Sequence, residues 1–436
     1  MTLNPQTARK VDDLVARAQE RGRAPALAAA VVRDGALVHF SANGCDPATG
    51  AVPTADTQFR IGSITKTLTA VMIMQLRDEG RLSLEDLLYR HLPGTPVGSA
   101  ITLRQMLGHI SGLQREPDGQ WWERAEGTDL ETFLGALTPD KIAYPPLRTY
   151  HYSNLAYGLL GAVANRLTGL DWTDLLSKRL LEPLGMSRTS HMEMEPFARG
   201  FVVHPWDATL REEPRTDTAA MAPAGQLWST AADLARWAAF LADPDPGLLD
   251  PATLTEMCAP MVISDLESWT GGHGLGLELY RSGERIYVGH GGSMPGYLAH
   301  LLVHRPSRTA AILFANAYTL HELRIAALNT SLLDLVLEAE PPRVKPWRPA
   351  PAAQPHELAG VWWWMGRQLL ARHDGEELVM EPVSPAAAPW RFAQESADVW
   401  RCHSGSNDGE LLRVRRDGQG TPVELDIATF LHTRQP

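Results

Sequence analysis

Phe59-Arg60-Ile61-Gly62-Ser63-Ile64-Thr65-Lys66 leads into residues 67–77, where Leu68, Val71, Met72 and Leu76 keep helical spacing. Gly80 follows where such a helix would stop. Ser63 and Lys66 stand three apart, so on a helix the hydroxyl and the amine share one face. The first turn of a helix also offers free backbone N–H groups and the positive end of the dipole, both of which stabilise developing negative charge. A hydroxyl needs a base before it can attack a carbonyl, and a desolvated lysine can serve as one. Taken alone, the same spacing also fits a helix-capping serine beside a solvated lysine.

Two further patterns lie downstream. Tyr152-Ser153-Asn154 follows Pro145-Pro146, so Tyr152 is expected on a loop that feeds the helix after it. A phenol beside an ammonium has its phenolate favoured and can relay a proton between nucleophile and leaving group. Gly289-His290-Gly291-Gly292-Ser293 precedes a strand pattern, and glycines there let a main-chain N–H approach an oxyanion. His290 is placed to hydrogen-bond either Tyr152 or a substrate.

In this order and spacing, Ser-x-x-Lys, Tyr-x-Asn and His-Gly-Gly resemble the three motifs of the penicillin-binding-protein and class C β-lactamase family. Other phrases resemble the same family. They are Phe59-Arg60-Ile61-Gly62, Leu107-Gly108-His109-Ile110-Ser111-Gly112-Leu113, Leu181-Glu182-Pro183-Leu184-Gly185-Met186 and Ala224-Gly225-Gln226-Leu227-Trp228-Ser229-Thr230. The similarity covers roughly residues 10–340. It implies an α/β (α+β) fold: an antiparallel sheet flanked by helices, a helical subdomain, and a site between them.

By the same resemblance, Ser63 is acylated, and Lys66 and Tyr152 share base and acid duties in an order the sequence does not set. Asn154 is expected to bond the substrate's amide, and the main-chain N–H groups of Ser63 and Ser293, beside Gly292, to form the oxyanion hole. Trp228 and Tyr297 are weaker candidates for pocket walls, since large aromatics pack cores by default.

The third motif departs from the family. Lysine with a hydroxyl residue, the usual pair, suits a substrate carboxylate; neutral His290 has no charge and only one N–H. β-Lactam hydrolysis and D-Ala-D-Ala carboxypeptidase activity therefore recede. A His-Gly motif is familiar from the family's esterases, D-specific aminopeptidases and thioesterase-like cyclases. The resemblance extends to stand-alone penicillin-binding-protein-type thioesterases, which close a nonribosomal peptidyl thioester head to tail. The expected substrate is thus a peptidyl thioester, free or on a carrier protein, or a small ester. An esterase or D-specific peptidase on the same residues is the alternative, and a non-catalytic acyl-binding sensor is the alternative from another class.

Organisation follows from pattern. Residues 7–21 read as an amphipathic helix, and residues 27–33 and 36–40 flank the hairpin signal Asp34-Gly35. Helical patterns recur at 102–108, 154–168, 172–180 and 230–242, strands from 271 onward, and a helix over 321–339. Domains are expected at 1–340 and 356–436, joined by a proline-rich linker at 341–355. The second is a small all-β module with Asp-Gly turns, resembling the lipocalin-like tails of those thioesterases, and Arg434 near its end is a candidate substrate contact.

Composition removes other classes. A net charge of −11 without a basic cluster argues against nucleic acid. No stretch has eighteen uninterrupted apolar residues, and the first residues lack the apolar core of an export signal, so a cytoplasmic protein off the membrane is expected. Three scattered cysteines, Cys45, Cys258 and Cys402, give neither a disulfide framework nor a zinc spacing. His321-Glu322-Leu323-Arg324-Ile325 lacks the second histidine of a zinc helix, and no cofactor is implied. Oligomeric state has no sequence signal.

Overall fold

A computed structural model describes residues 2–342, 356–383 and 388–436. An eight-stranded antiparallel sheet organises the larger unit. Its order is Ala36–Gly44, Ala26–Arg33, Thr309–Ala315, Tyr297–His304, Arg285–Met294, Glu278–Ser282, Gly271–His273 and Val262–Ile263. The expected hairpin opens it. Asp34 and Gly35 both take positive φ, 47° and 79°, as a two-residue primed turn requires. Pairing of Ala30 with Ile312 then brings the first strands of the chain beside a strand from residue 309 onward.

The strand Ala26–Arg33 is buried along nearly its whole length because period-two geometry divides it between two cores. Ala28, Ala30 and Val32 join Ile312 and Phe314 on one face, under helix Ala231–Ala242, in a core shared with helices Thr65–Asp78 and Asn154–Thr168. Leu27, Ala29 and Val31 join Ala311 and Leu313 on the other, under Pro5–Gly22 and Ile325–Ala339. The helix Thr65–Asp78 is buried on every side from Thr65 to Leu76, which marks it as the central helix of the subdomain. Truncating Leu68 there to alanine would cost about 2–5 kcal/mol.

Two helix expectations shift. The closing helix begins at Ile325, four residues late, because His321 donates its N–H to Gly22 O (3.0 Å) and Glu322 takes a φ of 56°. The helix at Trp172–Leu176 continues as a π turn, Ser177–Leu181.

The chain divides into two units, Met1–Arg343 and Val344–Pro436. The linker read at 341–355 lies, from residue 343, outside the described residues. The second unit is a closed barrel of eight antiparallel strands running from Gly360–Trp364 to Phe430–Thr433, closed by pairing of Trp363 with Thr433. Inward-facing Trp362, Met380, Phe392, Trp400 and Leu425 fill it, consistent with the lipocalin-like module expected here.

Arg434, the candidate substrate contact, anchors its own barrel in this structure. Its guanidinium donates to the carbonyls of Glu357 (2.9 Å), Ala359 (3.0 Å) and Val361 (3.2 Å) and lies 3.8 Å from the centre of the Trp362 ring. Among the described residues, its hydrogen bonds all lie within its own barrel. Among the described residues no helix is long and apolar enough to cross a membrane, and no group of metal-ligating side chains is gathered.

Candidate active site

The nucleophile turn is built by two facing glycines. Phe59-Arg60 pairs with Trp228-Ser229, after which Gly62 turns the chain at φ +52° into a short 3-10 segment, Gly62–Ile64, and then the central helix. A side chain on Gly62 would place its Cβ 2.6 Å from Ser293 N, and one on Gly292 would place its Cβ 1.9 Å from Ile61 O. Only glycine at both positions lets the strand Arg285–Met294 lie backbone-to-backbone against the Ser63 turn. That contact brings the main chains of Ser63 and Ser293 together, the pair expected to hold an oxyanion.

Lys66 sits fully buried at the centre. Its Nζ is 3.0 Å from Ser63 Oγ, 2.6 Å from Asn154 Oδ1 and 2.5 Å from Ala224 O. Burial depresses its pKa to about 7; Glu123, Glu116 and Glu278 pull it upward and Arg115 downward. The geometry fits a neutral amine. Asn154 Oδ1 and Ala224 O only accept, so they take two N–H donors and leave the lone pair facing the Ser63 hydroxyl. The Asn154 amide is itself fixed, because its Nδ2 donates to both carboxylate oxygens of Glu116 at 2.9 Å. Asn154 thus has its acceptor on Lys66 and its donors on Glu116, rather than free for a substrate as expected.

Tyr152 is presented by a pinned loop. Ser153 caps the helix Asn154–Thr168 through its Oγ on Ala156 N (3.0 Å), donates that hydroxyl to Gln114 O (2.7 Å), and gives its N–H to His109 Nδ1 (3.0 Å). His109 then stacks beneath the Tyr152 ring at 4.2 Å. Lys66 Nζ lies 5.0 Å from the centre of the same ring. The phenolate expected from that cation is not favoured. Burial pushes the Tyr152 hydroxyl well above its usual value, and its hydrogen bond with Ser63 opposes this only in part. Tyr152 is a donor at neutral pH.

His290 is 1% exposed, its ring 6.1 Å from that of Tyr152. Its Nδ1 faces Gly291 O at 2.5 Å, so the proton sits there and Nε2, with no partner among the described residues, keeps its lone pair. Burial lowers its pKa against the pull of Glu278. The third motif therefore contributes a neutral ring where the family usually has a cation.

Trp228 and Tyr297 correct their expectation as pocket walls. Both are core side chains, 0% and 1% exposed, packed edge to face at 5.2 Å, with Tyr297 Oη donating to Ala198 O (2.9 Å). The sequence reading missed the carboxylates. Glu116 and Glu123 lie on the loop after the His109 phrase, and Glu278 on the strand next to His290, where its Oε2 accepts Gly291 N–H (2.9 Å). Burial raises the Glu123 pKa, whereas Glu278, despite burial, is held below its usual value, with hydrogen bonds from Tyr280 and Gly291 N–H among the causes. No motif marks these residues; only the fold brings them to Lys66.

Comparison with known proteins agrees with the sheet and the site. The beta-lactamase family model matches residues 11–334, and a domain of unknown function, DUF7586, matches residues 351–434. "Putative beta-lactamase-like 1" of Homo sapiens is 30% identical over 81% of this chain and 73% of its own length. "Beta-lactamase-like protein 2" of Dictyostelium discoideum is 28% identical over 68% of the chain, which spans 57% of that relative's length.

Among solved structures, the octameric penicillin-binding protein homologue from Pyrococcus abyssi covers 97% of this chain and 99% of its own at a TM-score of 0.68 and 20% identity. SurE with D-Leu covers 99% and 100% at 0.60 and 26%. The D-amino acid amidase of Ochrobactrum anthropi with L-phenylalanine covers 77% and 98% at 0.64 and 25%. The fold is that of a β-lactamase-like serine hydrolase, and the chain belongs to the beta-lactamase family.

Proposed function

We propose that this chain is a serine acyl-transfer enzyme, acylated on Ser63, that offloads a peptidyl thioester with a D-residue at its activated end and closes it into a macrolactam. The observation that carries the acyl-transfer chemistry is the buried Lys66 amine, 3.0 Å from Ser63 Oγ, with a pKa near 7. Lys66 takes the hydroxyl proton as Ser63 Oγ attacks the carbonyl carbon. The oxyanion is received by the N–H groups of Ser63 and Ser293, and Tyr152 gives its proton to the leaving thiolate or alkoxide. The proton on Lys66 then restores the phenol, directly or through water. In the second half, an amine of the same peptide attacks the ester and expels Ser63 Oγ.

What supports the donor class is the likeness to SurE with D-Leu along essentially the whole chain, barrel included, at 26% identity. A neutral His290 fits a donor with no carboxylate to clamp. A peptidyl thioester on a carrier protein is an intracellular substrate, so the proposed site of action is the cytoplasm. The second reading, hydrolysis of D-amino acid amides or small esters, is favoured by the likeness of the catalytic unit alone to D-amino acid amidase.

Mass spectrometry of products from a peptidyl thioester ending in a D-residue separates the two. A Ser63-dependent product one water lighter than the linear acid is expected. Linear acid alone, with brisk cleavage of D-amino acid amides, would overturn cyclisation in favour of hydrolysis.

A further inference from the structure

One end of the C-terminal barrel holds a cavity of about 690 Å³ that the acyl-transfer chemistry does not use. Strand parity sets its walls. Trp362 and Trp364 point inward on the first strand, and Trp390 and Phe392 on the fourth. Trp362, Phe392 and Trp400 fill the interior of the barrel, whereas Trp364, Leu369, Trp390 and Phe430 surround empty space. An eight-stranded barrel has room to be filled by side chains or to hold one small ligand. Here the filling by the described residues stops short of one end. A volume of this size with apolar walls and few polar groups is the usual form of a small-molecule site.

Two polar side chains in the lining have unmet needs. His432 is 2% exposed, and its Nδ1 faces the carbonyls of Phe430 (3.0 Å) and Leu425 (3.4 Å). The proton therefore sits on Nδ1, and Nε2 is a bare acceptor with no partner among the described residues. Burial lowers the pKa of the ring, so it stays neutral near neutral pH. A buried acceptor without a donor is costly, and the cavity beside it is where a donor would come from. Arg367 lies at the exposed rim, its guanidinium 5.6 Å from the centre of the Trp364 ring. Among the described residues it forms no ion pair, as is also true of Arg413 and Arg434, whereas Arg372, Arg391, Arg401, Arg415 and Arg416 are paired.

We propose that this barrel end binds an amphiphilic aromatic carboxylate. Its apolar body lies among Trp364, Trp390 and Phe430, its carboxylate on Arg367, and a hydrogen-bond donor at its buried end on His432 Nε2. Arg367 is the one charged side chain among the described lining residues, beside the uncharged polar Gln368, Ser406, Asn407 and His432, and so matches one negative charge rather than a phosphate. A phenolic acid, with hydroxyl and carboxylate at opposite ends of a ring and short chain, has all three features. The site is independent of the acyl donor proposed for Ser63.

The test is calorimetric titration of the full chain with 3-(4-hydroxyphenyl)propionate, 3-phenylpropionate and 4-ethylphenol. Saturable one-to-one binding is expected for the first. Loss of the donor should weaken it about fivefold, and loss of the carboxylate about tenfold. Arg367→Gln should weaken the phenolic acid about tenfold and leave 4-ethylphenol unchanged, and Phe430→Ala should weaken all three. Both positions are solvent-facing, and an unchanged melting temperature would show that each variant is folded. Saturable binding that neither substitution weakens would put the ligand elsewhere and overturn the proposal. So would the absence of saturation up to about 10 mM for all three molecules.

Discussion

Glu116 grips the Asn154 amide with both carboxylate oxygens, each 2.9 Å from Nδ2, and so decides which end of Asn154 meets Lys66. With Nδ2 held, only Oδ1 is left for the amine, and the Lys66 lone pair is directed at Ser63. Glu116 acts as a positioning residue three hydrogen bonds away from the nucleophile, through Asn154 and Lys66. Its indole partner, Trp122 Nε1 at 2.7 Å, holds it in turn.

Glu116→Gln should therefore slow acylation. The new amide can present either end to Asn154, so the order of donors around Lys66 is lost. A fall in kcat of about tenfold with little change in KM is expected, on the scale of one hydrogen bond to a charged group. The acid limb of the pH profile should also move to lower pH, because Glu116 holds the Lys66 pKa up. A change in KM alone would contradict the positioning role.

The pH dependence has a definite sign. Lys66 must be neutral to act as base, and its pKa lies near 7. kcat/KM should rise as pH rises through about 7 and then level off. Tyr152 keeps its proton well above pH 10, so no alkaline loss from it is expected below that. A bell-shaped profile falling near pH 8 would assign the general acid to another group.

Folding stability should weaken in mild acid. His109, His273 and His300 are buried, and their folded pKa values lie below the unfolded value of 6.5, at about 4 for the latter two. The unfolded chain takes up protons first as pH falls, so stability present above 6.5 is lost between 6.5 and about 4. The loss is on the order of 1 kcal/mol per histidine for each pH unit. Urea titrations at pH 7.5 and 5 test this through the midpoint; equal midpoints would contradict it.

Gly292→Ala should act through the oxyanion hole. Its Cβ would lie 1.9 Å from Ile61 O, so strand and nucleophile turn must separate. A loss in kcat/KM of about a hundredfold is expected, the scale of removing one oxyanion donor. Tyr297→Phe, by contrast, should lower stability by about 1 kcal/mol through the lost bond to Ala198 O and leave kinetics unchanged.

The sheet, the two helical layers and the three motifs were legible because each rests on local pattern. Asp34-Gly35 can make only a few turns, the motif residues lie on or beside single elements, and the module after residue 355 announced its strands by its turns. The carboxylates were not legible. Glu116, Glu123 and Glu278 come from separate segments, and nothing in their spacing marks them. Trp228 and Tyr297 show the opposite error: nearness to motifs in sequence placed them in the site, but alternation along their strands points them into the core. The Tyr152 pKa went astray because a neighbouring cation is visible in sequence order and burial is not.

Every step of the proposed reaction passes through an acyl group on Ser63 Oγ, and intact-mass measurement with peptide mapping after rapid mixing with a D-configured thioester reads it out. The expected result is a mass increase equal to the acyl group, confined to the peptide that contains Ser63 and absent from Ser63→Ala. Undiminished turnover in Ser63→Ala, or an adduct on another residue, would contradict it.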